Sequence, residues 1–280
     1  MTNTALSTSR IDETFAALKA KSAMAFMPFI AAGDPSVEVT GKLIQTLADS
    51  GADLIELGFP YSDPIADGPV IQSAYTRALA NEISVEKIFT FVDSLETDNL
   101  PPIIGMVSYA IIFRVGVEQF LKTAKASGFA GLIVPDLPAE EATEFSQQTT
   151  AHQLNLIQLL SPTTTPERTE TILNSSSGFV YCIAVAGTTG VRKQVATNLI
   201  DQLKQVRTKT TLPLAVGFGI SQPEHVDPLR NVADGVIVGS GIVRHLEGLT
   251  ASSSNEETEA MLQNVGQLAQ AMSEAAHQSN

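Results

Sequence analysis

Asp53-Leu54-Ile55-Glu56-Leu57-Gly58-Phe59-Pro60 is a short apolar run with a single acid inside it, closed by a proline. Before it, Val37–Ser50 spaces its apolar residues near 3.6, and Gly51 stands where such a helix would hand over to a strand. After it, a polar loop leads to Gly68-Pro69, a helix entry. The same unit recurs along the chain. The strand-like runs are Ala25–Ala31, Leu54–Leu57, Ile103–Tyr109, Gly131–Val134, Leu156–Leu160, Phe179–Ala184, Leu214–Val216 and Gly235–Val238, eight in all. Between them lie amphipathic stretches such as Val117–Ser127 and Ala139–His152. Runs this apolar suit strands covered on both faces, as in a parallel sheet wrapped by helices.

Eight β/α units in 280 residues point to one closed (β/α)8 barrel, a TIM barrel, over residues 1–280. A doubly wound open sheet is the alternative, but no strand–GxGxxG–helix fingerprint opens the chain. Further helix entries stand at Asp34-Pro35-Ser36, Pro138 and Thr165-Pro166-Glu167, and Gly128 and Gly178 fall at helix-to-strand junctions. Three additions are expected. Ile11–Lys21 forms a helix that covers the barrel's bottom, and Ser84–Leu95 forms an extra helix after strand two. Near strand eight, a short helix starts at Ser240, and a Ser-rich then acidic loop over Ala251–Glu259 leads into a last helix ending about Ala276.

The formal net charge of −13 repels polyanions at long range, which argues against nucleic acid and anionic membranes. Any phosphate must therefore be held by local geometry. Cys182 is the only cysteine, so an internal disulfide and a multi-cysteine metal site are excluded, and its apolar run reads as a buried, inert thiol. His152, His225, His245 and His277 are scattered, none at metal-ligand spacing. Met1–Arg10 lacks the apolar core of a signal peptide, and no apolar stretch is long enough to span a bilayer, so a cytoplasmic location is expected.

Functional groups of this fold gather at the C-terminal ends of its strands. Glu56 closes strand two, where it should face the barrel mouth; desolvation there raises a carboxyl pKa towards neutrality. The bland alternative is a glutamate paired with a nearby cation. Asp67 ends the stiff loop Phe59–Pro69; as the residue before a helix it reads equally well as an N-cap, and Asp63 before Pro64 as a turn residue. Three glycine-bearing loops, Ala186–Gly190, Gly217–Ser221 and Gly239–Gly241, follow strands six, seven and eight. Their placement at one end of consecutive strands suits a phosphorylated small substrate.

Pro28-Phe29-Ile30-Ala31-Ala32-Gly33-Asp34-Pro35, and then the whole of Ile55 to Gln72, resemble the signature of the tryptophan synthase α chain. Leu132–Pro138 and Gly217–Ser221 fit the same family, and the similarity runs in order from about Phe15 to the last helix. The resemblance implies retro-aldol cleavage of indole-3-glycerol phosphate to indole and glyceraldehyde 3-phosphate. It casts Glu56 as the acid/base, and Asp67 as the group that holds the indole N–H. It implies substrate contacts at Tyr181, Tyr109 and Phe26 and a loop closing through Thr189; from the glycine-bearing loops, substrate contacts are also expected at Gly190, Gly217, Phe218, Gly219, Gly239 and Ser240. It also implies a pyridoxal-phosphate β subunit as partner in an α2β2 heterotetramer, with no cofactor and no metal in this chain. Departures are local: Ala110 and Ile111 stand where the family usually has an asparagine in a region used against its partner, Ala31 replaces a common threonine, and Ala184 and Val185 replace polar residues. A stand-alone indole-3-glycerol phosphate lyase and a non-catalytic paralogue that only activates a β subunit are the competing readings.

Overall fold

The computed structural model describes residues 8–64, 67–95, 99–184, 192–217 and 219–278. Eight parallel strands pair in chain order, and the first closes on the last. They are β1 (Ala25–Ala31), β2 (Ile55–Gly58), β3 (Ile103–Met106), β4 (Phe129–Ile133), β5 (Asn155–Leu160), β6 (Val180–Ile183), β7 (Leu214–Gly217) and β8 (Gly235–Val238). The expected barrel and the eight-unit reading hold.

Strand alternation sorts side chains into two apolar layers. Ala25, Met27, Leu54, Ile104, Ile133, Ile157, Tyr181, Ala215 and Ile237 share one cluster inside the barrel. Phe26, Ile30, Ile55, Leu57, Val180, Val216 and Val238 belong to the other, where the strands meet the surrounding helices. The N-terminal helix α1 (Arg10–Ala20) contributes Ile11, Phe15 and Leu18 to the inner cluster, so it plugs the barrel's bottom. Its Ser9 cap forms a reciprocal capping box with Asp12.

The helical layer follows as α2 (Val37–Asp49), α3 (Pro69–Ala80), α4 (Val85–Asp93), α5 (Tyr109–Val115), α6 (Val117–Ala126), α7 (Ala142–Ala151), α8 (Pro166–Ser175), α9 (Arg192–Arg207), α10 (Ser240–Val243) and α11 (Asn255–His277). Ser36, Ser84, Thr165 and Ser254 accept backbone N–H bonds at the entries of α2, α4, α8 and α11. Two 3-10 turns, Pro223–His225 and Asp227–Leu229, connect β7 to β8.

The structure corrects one boundary with a bearing on the site. The apolar run from Ile103 does not continue as strand to Tyr109; β3 ends at Met106, and Tyr109 opens α5. The Ser108 hydroxyl caps that helix by accepting from the Ala110 N–H. Asp136, from the loop after β4, accepts from the Ser108 hydroxyl at 2.6 Å and the Tyr109 N–H at 2.7 Å. A partner so distant in sequence leaves no local trace. Among the described residues, no helix is long and apolar enough to cross a membrane, and no cluster of His, Cys, Asp and Glu is placed to hold a metal. Burial pushes the Cys182 thiol up to about 12, so it stays a thiol.

Candidate active site

Glu56 occupies the middle of a strand whose flanking Ile55 and Leu57 face the helices, so its side chain turns to the barrel axis. It has no exposed surface, and neither carboxyl oxygen has a hydrogen-bond partner among the described residues. Enclosure without a partner penalises the charged form and raises its pKa to about 8. The alternative of a strand-end glutamate paired with a cation is therefore not what the structure contains.

Asp67 reaches the same space from the loop before α3. The N-cap of α3 is Gly68, with no side-chain cap bond, and Pro69 holds the first turn. Asp67 is thus not spent on capping, contrary to the simplest reading of its position; its own carbonyl accepts from the Gln72 side chain at 2.7 Å. Partial burial raises its pKa as well. Tyr75 and Tyr181 are both held well above the usual phenol range, chiefly by burial and then by the charges of these same two acids. Four titratable groups from β2, the loop after it, α3 and β6 therefore converge.

Three of them share a cavity of about 240 Å³ at the C-terminal mouth of the barrel. Glu56, Asp67 and Tyr181 line it on one side, and Gly219, Gly239 and Ser240 on the other. Gly219 has φ +84°, a conformation that favours glycine. Gly239 precedes the short α10, so Ser240 stands at a helix start.

Not every expected residue lies here. Phe26 is fully buried in the helix-facing layer; the strand's alternation puts Phe29, not Phe26, on the cavity wall. Register explains it, since Phe29 pairs directly with Glu56. Tyr109 also stands off the cavity, its ring edge-on to Phe145 with centroids 5.6 Å apart, because it opens a helix and not a strand end. Met106, the true end of β3, lines the cavity instead. Gly217 does not line it either. A Cβ there would sit 2.5 Å from Cε1 and Cζ of Tyr181, so this glycine makes room for the ring that does. Thr189, Gly190 and Phe218 lie outside the described residues.

Sequence reasoning missed Phe29, Met106, Tyr75 and Arg244. Arg244 is exposed and is the only cationic side chain on the cavity wall among the described residues. All four needed the fold: Phe29 follows only from the β1–β2 register, and no local signal in β1 marks its inward face.

Comparison with known proteins follows the same outline. The profile of the family described as "Tryptophan synthase alpha chain" matches residues 15–277. The tryptophan synthase alpha chain of Gloeobacter violaceus is 45% identical over 262 residues, covering 93% of this chain and 91% of that one. The crystal structure of tryptophan synthase subunit alpha from Legionella pneumophila str. Paris superimposes with a TM-score of 0.84 at 38% identity, covering 96% of this chain and 98% of that one. A chain of the aminoacrylate-bound tryptophan synthase from M. tuberculosis gives a TM-score of 0.83 at 28% identity, over 96% of this chain and 99% of that one. The match spans the barrel from its first helix to its last, and the chain belongs to the tryptophan synthase alpha chain family.

Proposed function

We propose that Glu56 and Asp67 divide the proton chemistry of the reaction that membership of this family brings, the retro-aldol cleavage of indole-3-glycerol phosphate. One observation carries the assignment: two carboxyls in unlike surroundings line one cavity, and one of them is wholly enclosed. With a pKa of about 8, Glu56 holds its proton at neutral pH. It gives that proton to indole C3, which turns the ring into an electron sink. Asp67, as carboxylate, accepts a hydrogen bond from the indole N–H and stabilises the positive charge that develops there. The Glu56 carboxylate then removes the proton of the adjacent glycerol hydroxyl. The carbon–carbon bond breaks, its electron pair returns to the ring, and an aldehyde forms. No proton is gained or lost in sum.

The phenyl ring of Phe29 and the Tyr181 ring supply apolar walls for the indole. We assign the phosphate seat to Gly219, Gly239 and Ser240, which line the same cavity.

Membership of the family also implies a β-subunit partner. We take that partner to carry pyridoxal phosphate, to receive the indole and to assemble with this chain as α2β2. Release of glyceraldehyde 3-phosphate from indole-3-glycerol phosphate, followed while β subunit is titrated in, tests the whole reading. Slow cleavage that accelerates with the partner is expected. High unassisted turnover would favour a stand-alone lyase, and partner activation without cleavage a non-catalytic paralogue. The pH profile of kcat/KM should be bell-shaped, falling on the alkaline side as Glu56 loses its proton near pH 8 and on the acid side as Asp67 gains one. A profile flat through pH 8 would remove Glu56 as the donor.

A further inference from the structure

Tyr75 lies on the buried face of α3 with 4% of its surface exposed, beside Ala74 and Ala78. Its ring meets that of Phe29 edge-on, centroids 6.5 Å apart. Its hydroxyl rests over Gly58, one strand repeat beyond Glu56; a Cβ at Gly58 would come within 2.6 Å of that oxygen. Only glycine admits the phenol at this depth. The hydroxyl makes no hydrogen bond among the described residues.

A second cavity, of about 260 Å³, explains where the hydroxyl faces. Tyr75, Asp67 and Met106 line it together, and Asp67 and Met106 also line the cavity that holds Glu56. Asp67 therefore stands in the partition between the two spaces, with the indole side before it and Tyr75 behind. The charge of Asp67 acts on the phenol more strongly than that of Glu56, which agrees with this order. A phenol that keeps its proton at every physiological pH can only donate to a carboxylate.

We propose that Tyr75 is a positioning residue for Asp67: in the loaded enzyme its hydroxyl donates a hydrogen bond to the Asp67 carboxylate and holds it, ionised, against the indole N–H. This rests on the role given to Asp67 above. The arrangement splits the work of one carboxylate between its two oxygens, one fixed from the helix side and one free for substrate. Charge-assisted bonds of this kind favour the ionised form and narrow the side chain's rotamers.

The test is Tyr75→Phe, which keeps the ring and removes one oxygen, measured with β subunit present. If Tyr75 positions Asp67, kcat falls about ten- to a hundredfold with KM little changed. The acid limb of the pH profile moves up by about one unit, because the carboxylate has lost a donor that favoured its charge. In an Asp67→Asn background the same change has no further effect. A filler role would leave kcat and the acid limb where they were, and that result overturns the proposal. A second readout does not depend on turnover. The Asp67 carboxyl, titrated by 13C NMR with indole bound, should protonate at higher pH in Tyr75→Phe than in the parent. An unchanged titration overturns the positioning role even if the parent enzyme cleaves no indole-3-glycerol phosphate, whereas a shifted titration without cleavage would count against the reaction alone.

Discussion

Glu56 carries two opposite demands. Its enclosure holds a proton that the proposed mechanism needs, and the same enclosure works against the fold. In the unfolded chain the carboxyl ionises near 4.5, while in the barrel it retains its proton until about pH 8. The native state therefore binds more protons between these values, and stability falls as pH rises through that window. By linkage the penalty amounts to a few kcal/mol above pH 8. Glu56→Gln removes it. We expect the variant to lose cleavage by about a hundredfold or more, yet to melt at higher temperature than the parent, with the gap wider at pH 8.5 than at pH 5. Calorimetry at the two pH values checks the second half; a gap that narrows with pH would mean Glu56 is paired in solution.

At the scale of elements, the site depends on α3 keeping its place, since this helix carries Tyr75 and takes its entry from Asp67-Gly68-Pro69. One clamp fastens it. Arg77 donates from Nε and Nη2 to the two oxygens of Asp34 at 2.8 and 2.7 Å, joining α3 to the loop after β1. The Asn81 side chain adds a bond to the Pro35 carbonyl at 2.6 Å. Asp34 is fully buried; burial pushes its pKa up, and the Arg77 bonds and charge oppose that rise without cancelling it. Arg77→Met would leave a buried carboxyl unpaired, with an expected loss of about 3 kcal/mol and a fall in kcat as α3 loosens. Chemical denaturation measures the first, and a wild-type midpoint would show the clamp to be dispensable.

Helices and strands were readable to very different depths. Most boundaries moved little, because caps such as Ser36, Thr165 and Ser254 act within their own turn. The α5 helix was hidden, since Tyr109 to Val115 continues an apolar run and its anchoring acid, Asp136, arrives from another loop. Phe26 and Phe29 show the same limit. Both faces of β1 are apolar, so alternation separates two sets of residues without saying which one looks inward. In β2 the lone acid marks the inner face, which made Glu56 legible when its neighbour on β1 was not.

For the molecule as a whole, the ends of the barrel are tied by residues far apart in the chain. His277 at the end of α11 bonds Asp53 at 2.8 Å, and Asp53 also accepts from the Phe26 N–H at the same distance. Ser273, one turn earlier, donates to the Gly51 carbonyl at 3.0 Å. The last helix is thereby latched to the entry of β2. The Asp53 hydrogen bond raises the His277 pKa, against a smaller effect of burial. The latch therefore contributes fully below the unfolded histidine value and is lost as pH rises through the folded one. His277→Ala should lower the melting temperature at pH 5.5 and leave it nearly unchanged at pH 9; an equal loss at both would assign the effect to packing.

Sequence alone determined the repeat of strand and helix, the closure expected from eight such units, the lone acid within β2 and the glycines beyond β7 and β8. These are local matters, written in periodicity, caps and the order of residue types within a dozen positions. The fold decided the rest: that Phe29 and not Phe26 lines the cavity of Glu56, that Asp67 escapes capping, that Tyr75 shares a second cavity with it, and that Glu56 meets no partner for its charge. Each of these depends on what surrounds a side chain, and a desolvated environment is assembled from strands and helices that meet only when the barrel closes.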